Sequence, residues 1–192
     1  MKAIKLNSKN KKEVLKIVLD YLKKGKVVIF PTDTVYGIIC NARNKKAVER
    51  IFKIKKRSLQ KNLPVFVENI KMAKRISKIN KAQETFLKKA WPGKITAVLE
   101  RKPFKIYGVD KKTIALRVPD HKLLILLMKK INYPLVQTSA NISKEKTAKT
   151  ANEIRKEFKK EKPDLLIDGG ILKKKQSTLI DLTKEPPEIL RP

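Results

Sequence analysis

The chain has 192 residues, of which 48 are Lys or Arg and 18 are Asp or Glu, so its formal net charge is +30. This length suits one domain with a substantial core, and 41% hydrophobic residues are typical of a folded chain rather than a disordered one. A single cysteine, Cys40, and a single histidine, His121, exclude a disulfide framework, a thiolate zinc cluster and a histidine-rich metal site.

The first half of the chain alternates helical and extended patterns. Apolar residues at helical spacing predict a helix that Asn10 caps and Gly25 ends, and a β-branched run predicts a buried strand at 27–30. The pattern further predicts a helix capped by Asn44 and running through Phe52, a strand at 64–67, helices at 69–79 and 81–90, and a strand at 95–99.

The second half continues this alternation. A strand at 113–118 is stopped by Pro119, and Asp120 is expected to cap a helix at 123–131. Next come a strand at 135–138, a helix at 150–158 and strands at 165–167 and 178–182. No repeat and no linker divides the chain, so we expect a single α/β (α+β) domain over residues 1–192, with a mixed sheet flanked by helices.

The positive charge is carried mostly by lysine, with 40 lysines and only eight arginines. A surplus of this size attracts nucleic acids and other polyanions. Sites that recognise phosphate or bases favour the arginine fork, however, whereas lysine spread along a chain is typical of a solvated surface. We therefore expect surface lysine to account for most of the charge, and specific anion contacts to involve only a few positions.

The N-terminal segment and the apolar runs bear on location. Basic residues at the start are not followed by the apolar core of a signal peptide, and the longest strongly apolar run, 123–128, is too short to cross a membrane. The expectation is a cytoplasmic protein without a membrane partner.

Polar residues cluster where predicted strands and helices end. The clusters are 31–37, 55–58 with Lys61, 91–94, Arg117, 138–143, and 177–181 with 189–191. Taken singly, most have a plain structural explanation as turns, helix caps or partners of a helix dipole. Arg117 is different, because an arginine in an apolar strand needs a carboxylate partner or an anionic ligand. No segment matches a Walker loop, a dinucleotide-binding glycine motif or a zinc motif.

Seven ordered segments resemble the YrdC-like family, the threonylcarbamoyl-AMP synthases. They are PTDTVYG, the Lys-x-Arg of Lys55 and Arg57, WPGKIT, TIALRVP, TSANIS, STLID and ILRP. The resemblance implies a twisted sheet flanked by helices around a basic concave cleft. It also implies synthesis of threonylcarbamoyl-AMP and pyrophosphate from L-threonine, bicarbonate or CO2, and ATP with Mg²⁺. Partner proteins of the transferase kind would then modify tRNA beside the anticodon, and tRNA itself is a further candidate partner.

The resemblance also implies roles for individual residues. Thr34, Arg117, Ser139 and Ser177 would bind L-threonine, with Arg117 on its carboxylate. ATP contacts would come from Arg57, Lys61, Thr113, Asn141, Lys149 and Arg191. The family's charged and polar tetrad, which is assigned to catalysis, corresponds to Lys55, Arg57, Ser139 and Asn141. The resemblance does not indicate a metal-binding residue.

The chain departs from the family pattern at several positions. Ser58 and Asn62-Leu63 replace proline-containing segments, Phe66 stands where the family has a threonine-contacting histidine, and Lys144 replaces a glycine. The chain also resembles the short, single-domain members rather than those with a further C-terminal domain.

Two other functions remain open at this point. The first is a YrdC-like paralogue that binds RNA or nucleotide without synthase activity, because a fold alone does not fix a function. The second is a basic RNA-binding module that acts by charge alone, which would bind tRNA with a steep salt dependence and no ATP turnover.

Overall fold

The computed structural model describes all 192 residues, which form ten strands and six helices. In chain order the elements are β1 (Lys2–Lys5), α1 (Lys11–Lys23), β2 (Val28–Phe30), β3 (Gly37–Asn41), α2 (Lys45–Lys55), β4 (Val65–Phe66), α3 (Ile70–Ile76), α4 (Lys81–Ala90), β5 (Ile95–Glu100), β6 (Thr113–Arg117), α5 (Lys122–Ile131), β7 (Leu135–Ser139), α6 (Ala151–Glu157), β8 (Leu165–Asp168), β9 (Thr178–Asp181) and β10 (Glu188–Arg191). None of the helices combines the length and the apolar character that a membrane span requires.

All ten strands belong to one sheet, in the order β1-β8-β2-β3-β7-β4-β6-β5-β9-β10. The pairs β1–β8, β2–β8, β4–β6 and β5–β9 are parallel, and the other neighbouring pairs are antiparallel. The predicted mixed sheet flanked by helices is therefore confirmed.

Side chains alternate between two cores, one on each face of the sheet. The larger core has 33 buried residues and includes Ile29, Ile38 and Leu116, together with residues of α2, α3, α4 and α6. The smaller core has 15 buried residues and includes Phe30 and Ile39, which α1 and α5 cover.

The smaller core does not extend over the whole sheet. In β6, Ile114 and Leu116 point into the larger core, so Thr113, Ala115 and Arg117 must face the other side. There α1 and α5 pack over the region of β8, β2, β3, β7 and β4. The corresponding face of β6, β5 and β9 lines a cavity instead.

Three strands were not predicted from the sequence. β3 directly follows a segment that reads as a turn, β1 is a short edge strand bounded by lysines, and every residue of β10 is exposed. Such segments lack the long alternating pattern by which a strand is recognised. The helix predicted at 69–79 is shorter, because Ser77 leaves the helix and forms a bridge to Arg101.

The predicted cap of α5 is wrong by one residue. His121 occupies the N-cap position rather than Asp120, and its Nδ1 accepts a hydrogen bond from the Leu124 backbone N–H at 3.4 Å. At α2 the prediction is confirmed, since the Asn44 side chain accepts from Ala47 N–H at 3.0 Å.

Gly108 is a position where the fold requires glycine. Its φ is +74°, and a Cβ added there would lie 2.7 Å from Val48 Cγ1 in the larger core. Its carbonyl accepts a hydrogen bond from Leu63 N–H at 2.7 Å, which joins two loops beside the cavity. A side chain at this position would meet both backbone strain and a steric clash.

We expect Gly108→Ala to lower the free energy of unfolding by roughly 2–4 kcal/mol, because strain and overpacking add. Gly170 is a matched control, since its φ of +81° is similar but nothing lies within 4 Å of the added Cβ. Gly170→Ala should lower the free energy of unfolding through backbone strain alone, by about 1 kcal/mol. Urea unfolding of both variants measures the difference, and equal losses would contradict a packing role for Gly108.

Candidate active site

A cavity of about 460 Å³ lies on the sheet face that α1 and α5 leave uncovered. Its charged lining residues are Arg57, Arg117, Arg191, Asp110 and Asp181, and no lysine lines it. This volume falls in the range of about 300–1,000 Å³ that is usual for small-molecule sites. The resemblance implied a basic cleft, and with three arginines and two aspartates the wall has only a small excess of positive charge, all of it from arginine.

Arg117 is the most deeply buried charge of the cavity wall, with only 2% of its surface exposed. Its Nη2 donates to Asp33 Oδ2 at 2.5 Å, its Nη1 to Thr34 Oγ1 at 3.2 Å and its Nε to the Gly93 carbonyl at 2.8 Å. Of the two alternatives expected from the sequence, a carboxylate partner or an anionic ligand, the structure shows a carboxylate partner, Asp33. Three of the five guanidinium N–H groups are used, which leaves one on each terminal nitrogen for a ligand.

The loop before β3 presents Thr34 to Arg117. Thr32 Oγ1 donates to the Val35 carbonyl at 2.6 Å and accepts from Thr34 N–H at 3.0 Å. Hydroxyl groups of this kind close a tight turn without secondary structure. The turn is buried throughout, so the position of Thr34 is fixed.

Phe66 lies beneath Arg117 and does not line the cavity. Its ring centroid is 5.7 Å from Arg117 Cζ, and the side chain is fully buried in the smaller core. A cation over an aromatic face is attracted to the ring. In this chain Phe66 therefore supports the arginine rather than offering a polar contact to a ligand.

Lys55 and Asn141 lie behind the cavity wall. Lys55 Nζ donates to the carbonyls of Ser139 and Asn141, both at 2.6 Å, and approaches Asn141 Oδ1 at 3.4 Å. Asn141 Nδ2 donates to the carbonyls of Ile142 and Glu145. The two side chains hold the turn that follows β7, directly after Ser139, the last residue of this strand, which lines the cavity. Burial, with a smaller contribution from the charge of Arg57, lowers the pKa of Lys55 to about 7.

Arg191 and Ser177 are joined at the far side of the cavity. The Ser177 carbonyl accepts from Arg191 Nε at 3.1 Å and from Nη2 at 2.7 Å. Ser177 Oγ lies 2.8 Å from the buried hydroxyl of Thr96, so its orientation is fixed as well. Gln176 Oε1 accepts from Arg191 Nη1 at 3.0 Å, which completes the support of this arginine.

Arg57 is held by its own loop. Its Nε donates to the Lys61 carbonyl at 3.0 Å and its Nη2 to the Asn62 carbonyl at 2.9 Å. The guanidinium is therefore fixed at the cavity edge, while the Lys61 side chain is exposed. Lys149 is exposed too, and its backbone N–H donates to Glu153 Oε2.

The cavity brings together most of the site residues expected from the sequence. Those that line it are Thr34, Arg57, Thr113, Arg117, Ser139, Ser177 and Arg191. Four others do not reach its wall: Lys55, Lys61, Asn141 and Lys149. The roles given to all of these residues stay predictions.

Sequence reasoning missed several polar residues of the site. They are Asp33 behind Arg117, and Asp110, Asp181, Gln137 and Gln176 in the cavity wall. Alternation along the strands could have indicated Gln137 and Asp181, because each is a polar residue on the face that carries Ser139 or Leu179. Backbone N–H donation from Lys112 and Thr113 lowers the pKa of Asp110, so this carboxylate is ionised at neutral pH.

The carboxylates of the cavity bear on how Mg²⁺ would bind with ATP. No group of three or more His, Cys, Asp or Glu side chains could hold a metal ion. Mg²⁺ commonly binds through one or two carboxylates together with substrate phosphates and water. Asp110 and Asp181 fit that mode, because each uses one carboxylate oxygen for internal hydrogen bonds and both line the cavity.

The family model described as telomere recombination, with the label Sua5, YciO and YrdC, matches residues 20–192. The chain belongs to this family.

Two relatives of the Sua5/YciO/YrdC family have names that bear on function. The chain is 37% identical over 183 residues to a putative threonylcarbamoyl-AMP synthase of Methanocaldococcus jannaschii, covering 95% of this chain and 86% of that protein. It is 35% identical over 183 residues to a threonylcarbamoyl-AMP synthase of Pyrococcus abyssi, covering 93% of this chain and 53% of that protein. The chain thus spans about half the length of the Pyrococcus relative.

A solved structure is also similar. The structure of P. abyssi Sua5 complexed with L-threonine matches with a TM-score of 0.86 at 31% identity, covering 100% of this chain and 56% of that one.

Lys144, which replaces a glycine of the family pattern, adopts a backbone conformation that favours glycine. Lys144 has a φ of +77°, in the left-handed region that favours glycine. The glycine expected at this position would adopt that conformation without strain, so the turn survives the replacement at a small cost.

Lys55 gives a test of how the turn after β7 is held. We expect Lys55→Met to lower the free energy of unfolding by roughly 1–3 kcal/mol, because the buried carbonyl of Asn141 and the partly buried carbonyl of Ser139 lose their donor. The exposed Lys53, on the same helix, is the control, and Lys53→Met should change stability by less than about 0.5 kcal/mol. Urea unfolding measures both changes.

The lowered pKa of Lys55 adds a pH dependence. Between about 7 and its ordinary value of 10.5, the unfolded chain binds more protons at this lysine than the folded chain does. The stability of the wild type relative to Lys55→Met should therefore rise with pH, which unfolding at about pH 7 and about pH 9 would measure. A difference that falls over this window would contradict the assigned burial.

Proposed function

We propose that this chain is a threonylcarbamoyl-AMP synthase, a nucleotidyltransferase that forms threonylcarbamoyl-AMP and pyrophosphate from L-threonine, bicarbonate or CO2, and ATP. The observation that carries the proposal is one cavity in which Thr34, Arg117, Ser139 and Ser177 lie beside Arg57, Thr113 and Arg191. The first set is the one expected to bind threonine, and the second is part of the set expected to bind ATP. The names of the relatives and the L-threonine complex of P. abyssi Sua5 support the same assignment.

The proposed reaction explains why the site needs several fixed positive charges. The threonine amine adds to CO2 and loses a proton, which gives a carbamate. A carbamate oxygen then attacks the α-phosphate of ATP, and the bond to the β-phosphate breaks to release pyrophosphate. Both reactants are anions, so the site must hold them together and neutralise the charge that develops.

The residues of the cavity supply these functions without a histidine or a cysteine. Arg117, with Thr34 and Ser139 beside it, would bind the amino acid through its carboxylate. Arg57 and Arg191 would contact the phosphates, and the hydrogen bonds that fix both guanidiniums would reduce the entropy lost on binding. Mg²⁺ carried by ATP would neutralise phosphate charge, with Asp110 and Asp181 as its protein ligands.

The wider role follows from the family. We propose that the adenylate passes to a partner transferase, which places the threonylcarbamoyl group on tRNA next to the anticodon. A cytoplasmic site of action fits this role. The lysine-rich surface would favour encounters with tRNA over long range.

The decisive experiment measures pyrophosphate release by the purified chain with ATP and Mg²⁺. Release should require both L-threonine and bicarbonate, and L-serine in place of threonine is the control for side-chain selection. No threonine-dependent release would reject the synthase. The paralogue that binds RNA or nucleotide would then be the better explanation.

A substitution at Arg57 tests the expected contact with ATP most directly. Arg57→Ala should lower kcat at saturating ATP by roughly a hundredfold, because a preorganised cation at the reacting phosphate is lost. Arg43→Ala is the matched control, since Arg43 is exposed and does not line the cavity. A normal rate for Arg57→Ala at saturating ATP would remove Arg57 from the catalytic step.

A further inference from the structure

Arg117 and Asp33 form a buried pair of opposite charges. The side chains are 3% and 6% exposed, and the two atoms that join them are 2.5 Å apart. Asp33 Oδ1 is also buried and receives no hydrogen bond from any protein group, so Arg117 is the main partner of the carboxylate. Of the other ionisable groups, His121 also lies near Asp33 and is neutral at pH 7, because burial lowers its pKa from 6.5.

The pairing matters because the cavity must accept several anions. A lone guanidinium would attract bicarbonate, the phosphates of ATP and any carboxylate, since arginine binds all of these well. Paired with Asp33, Arg117 still offers an N–H group on each terminal nitrogen, but the pair has no net charge. A ligand that also has no net charge, with its ammonium group near the carboxylate it presents, is the better match to such a pair.

We propose that Asp33 is a positioning and specificity-determining residue, which holds Arg117 as a neutral ion pair so that this subsite selects zwitterionic α-amino acids over simple carboxylate anions. The inference rests on the proposed function and adds to it a residue outside the cavity wall. Asp33 acts through Arg117 and through the field of its charge, and it does not touch the substrate.

The competing explanation is that Asp33 only stabilises the loop before β3. In that case its loss would weaken every ligand of Arg117 by a similar factor. A charge-balancing role predicts unequal effects, because removing the negative charge leaves the guanidinium uncompensated and favours anions over zwitterions. The ratio of two affinities therefore separates the explanations.

The test is isothermal titration calorimetry with L-threonine and with its hydroxy acid analogue, in which a hydroxyl group replaces the amine. The wild type should bind L-threonine at least about tenfold more tightly than the hydroxy acid. In Asp33→Asn, which keeps the shape of the side chain, this preference should shrink by roughly fivefold or more. In Asp33→Glu, which keeps the charge, it should stay within about twofold of the wild type even though both affinities fall.

Asp164 provides the matched control. Its carboxylate pairs with Arg50 and accepts from Val27 N–H, away from the cavity. Asp164→Asn should lower stability without changing the preference for the zwitterion. A thermal unfolding scan of each variant shows whether it is folded before titration.

The outcomes are distinct. A wild type that binds L-threonine and the hydroxy acid equally well overturns the inference without any variant, even if Asp33→Asn does not fold. A preference that is unchanged in Asp33→Asn also overturns it, while the proposed synthase stands. A wild type that binds neither compound overturns the proposed function together with the inference.

Discussion

Arg117 holds a positive charge inside the molecule, and its contacts join segments that are far apart in the chain. Through Asp33 and Thr34 it fixes the loop before β3, and through the Gly93 carbonyl it fixes the turn before β5. Removing one partner of such a buried pair costs about 3–5 kcal/mol, because the other charge is left uncompensated. The shape of the amino acid side of the cavity therefore depends on this one side chain and its partners.

The second determinant of the site is the uncovered part of the sheet. β6, β5 and β9 put apolar residues into the larger core on one face. On the other face Thr113, Ala115 and Arg117 line the cavity, together with Val98, Leu179 and Asp181. Because the same strands do both, a packed core lies directly beneath the floor of the cavity. At the edge of this floor, Arg191 of β10 is bound to Ser177 and Gln176, which directly precede β9, so the pairing of these two strands brings the side chains of Ser177 and Arg191 together. The strands supply Thr113, Arg117, Ser139 and Arg191, whereas Thr34, Arg57 and Ser177 lie in loops that internal hydrogen bonds hold in place.

The sequence allowed the fold class and most helices to be predicted, because each leaves a local pattern, whereas the cavity-facing motifs were assigned through the resemblance to the YrdC-like family. Alternation along 113–118 indicated β6, and an arginine among apolar residues required a partner. The identity of that partner was not predictable, since Asp33 is 84 residues away in a segment that reads as a turn. The same holds for Lys55, whose acceptors are backbone carbonyls 84 and 86 residues later in the chain. Backbone groups have no signature in a sequence, so a buried lysine looks like any of the surface lysines around it.

The composition of the cavity also shows that most of the net charge of +30 lies outside the site. Of 40 lysines none lines the cavity, whereas three of the eight arginines do. Lysine is strongly hydrated and flexible, which suits a surface that acts over distance, while arginine keeps its charge when buried and binds in a fixed geometry. Exposed charges act within a Debye length of roughly 8 Å at physiological salt, so the lysines influence how often an anion arrives. What happens after arrival is decided by three arginines, of which Arg117 pairs with Asp33, and by Asp110 and Asp181 in the same wall. The cavity therefore has a charge far more balanced than that of the surface around it.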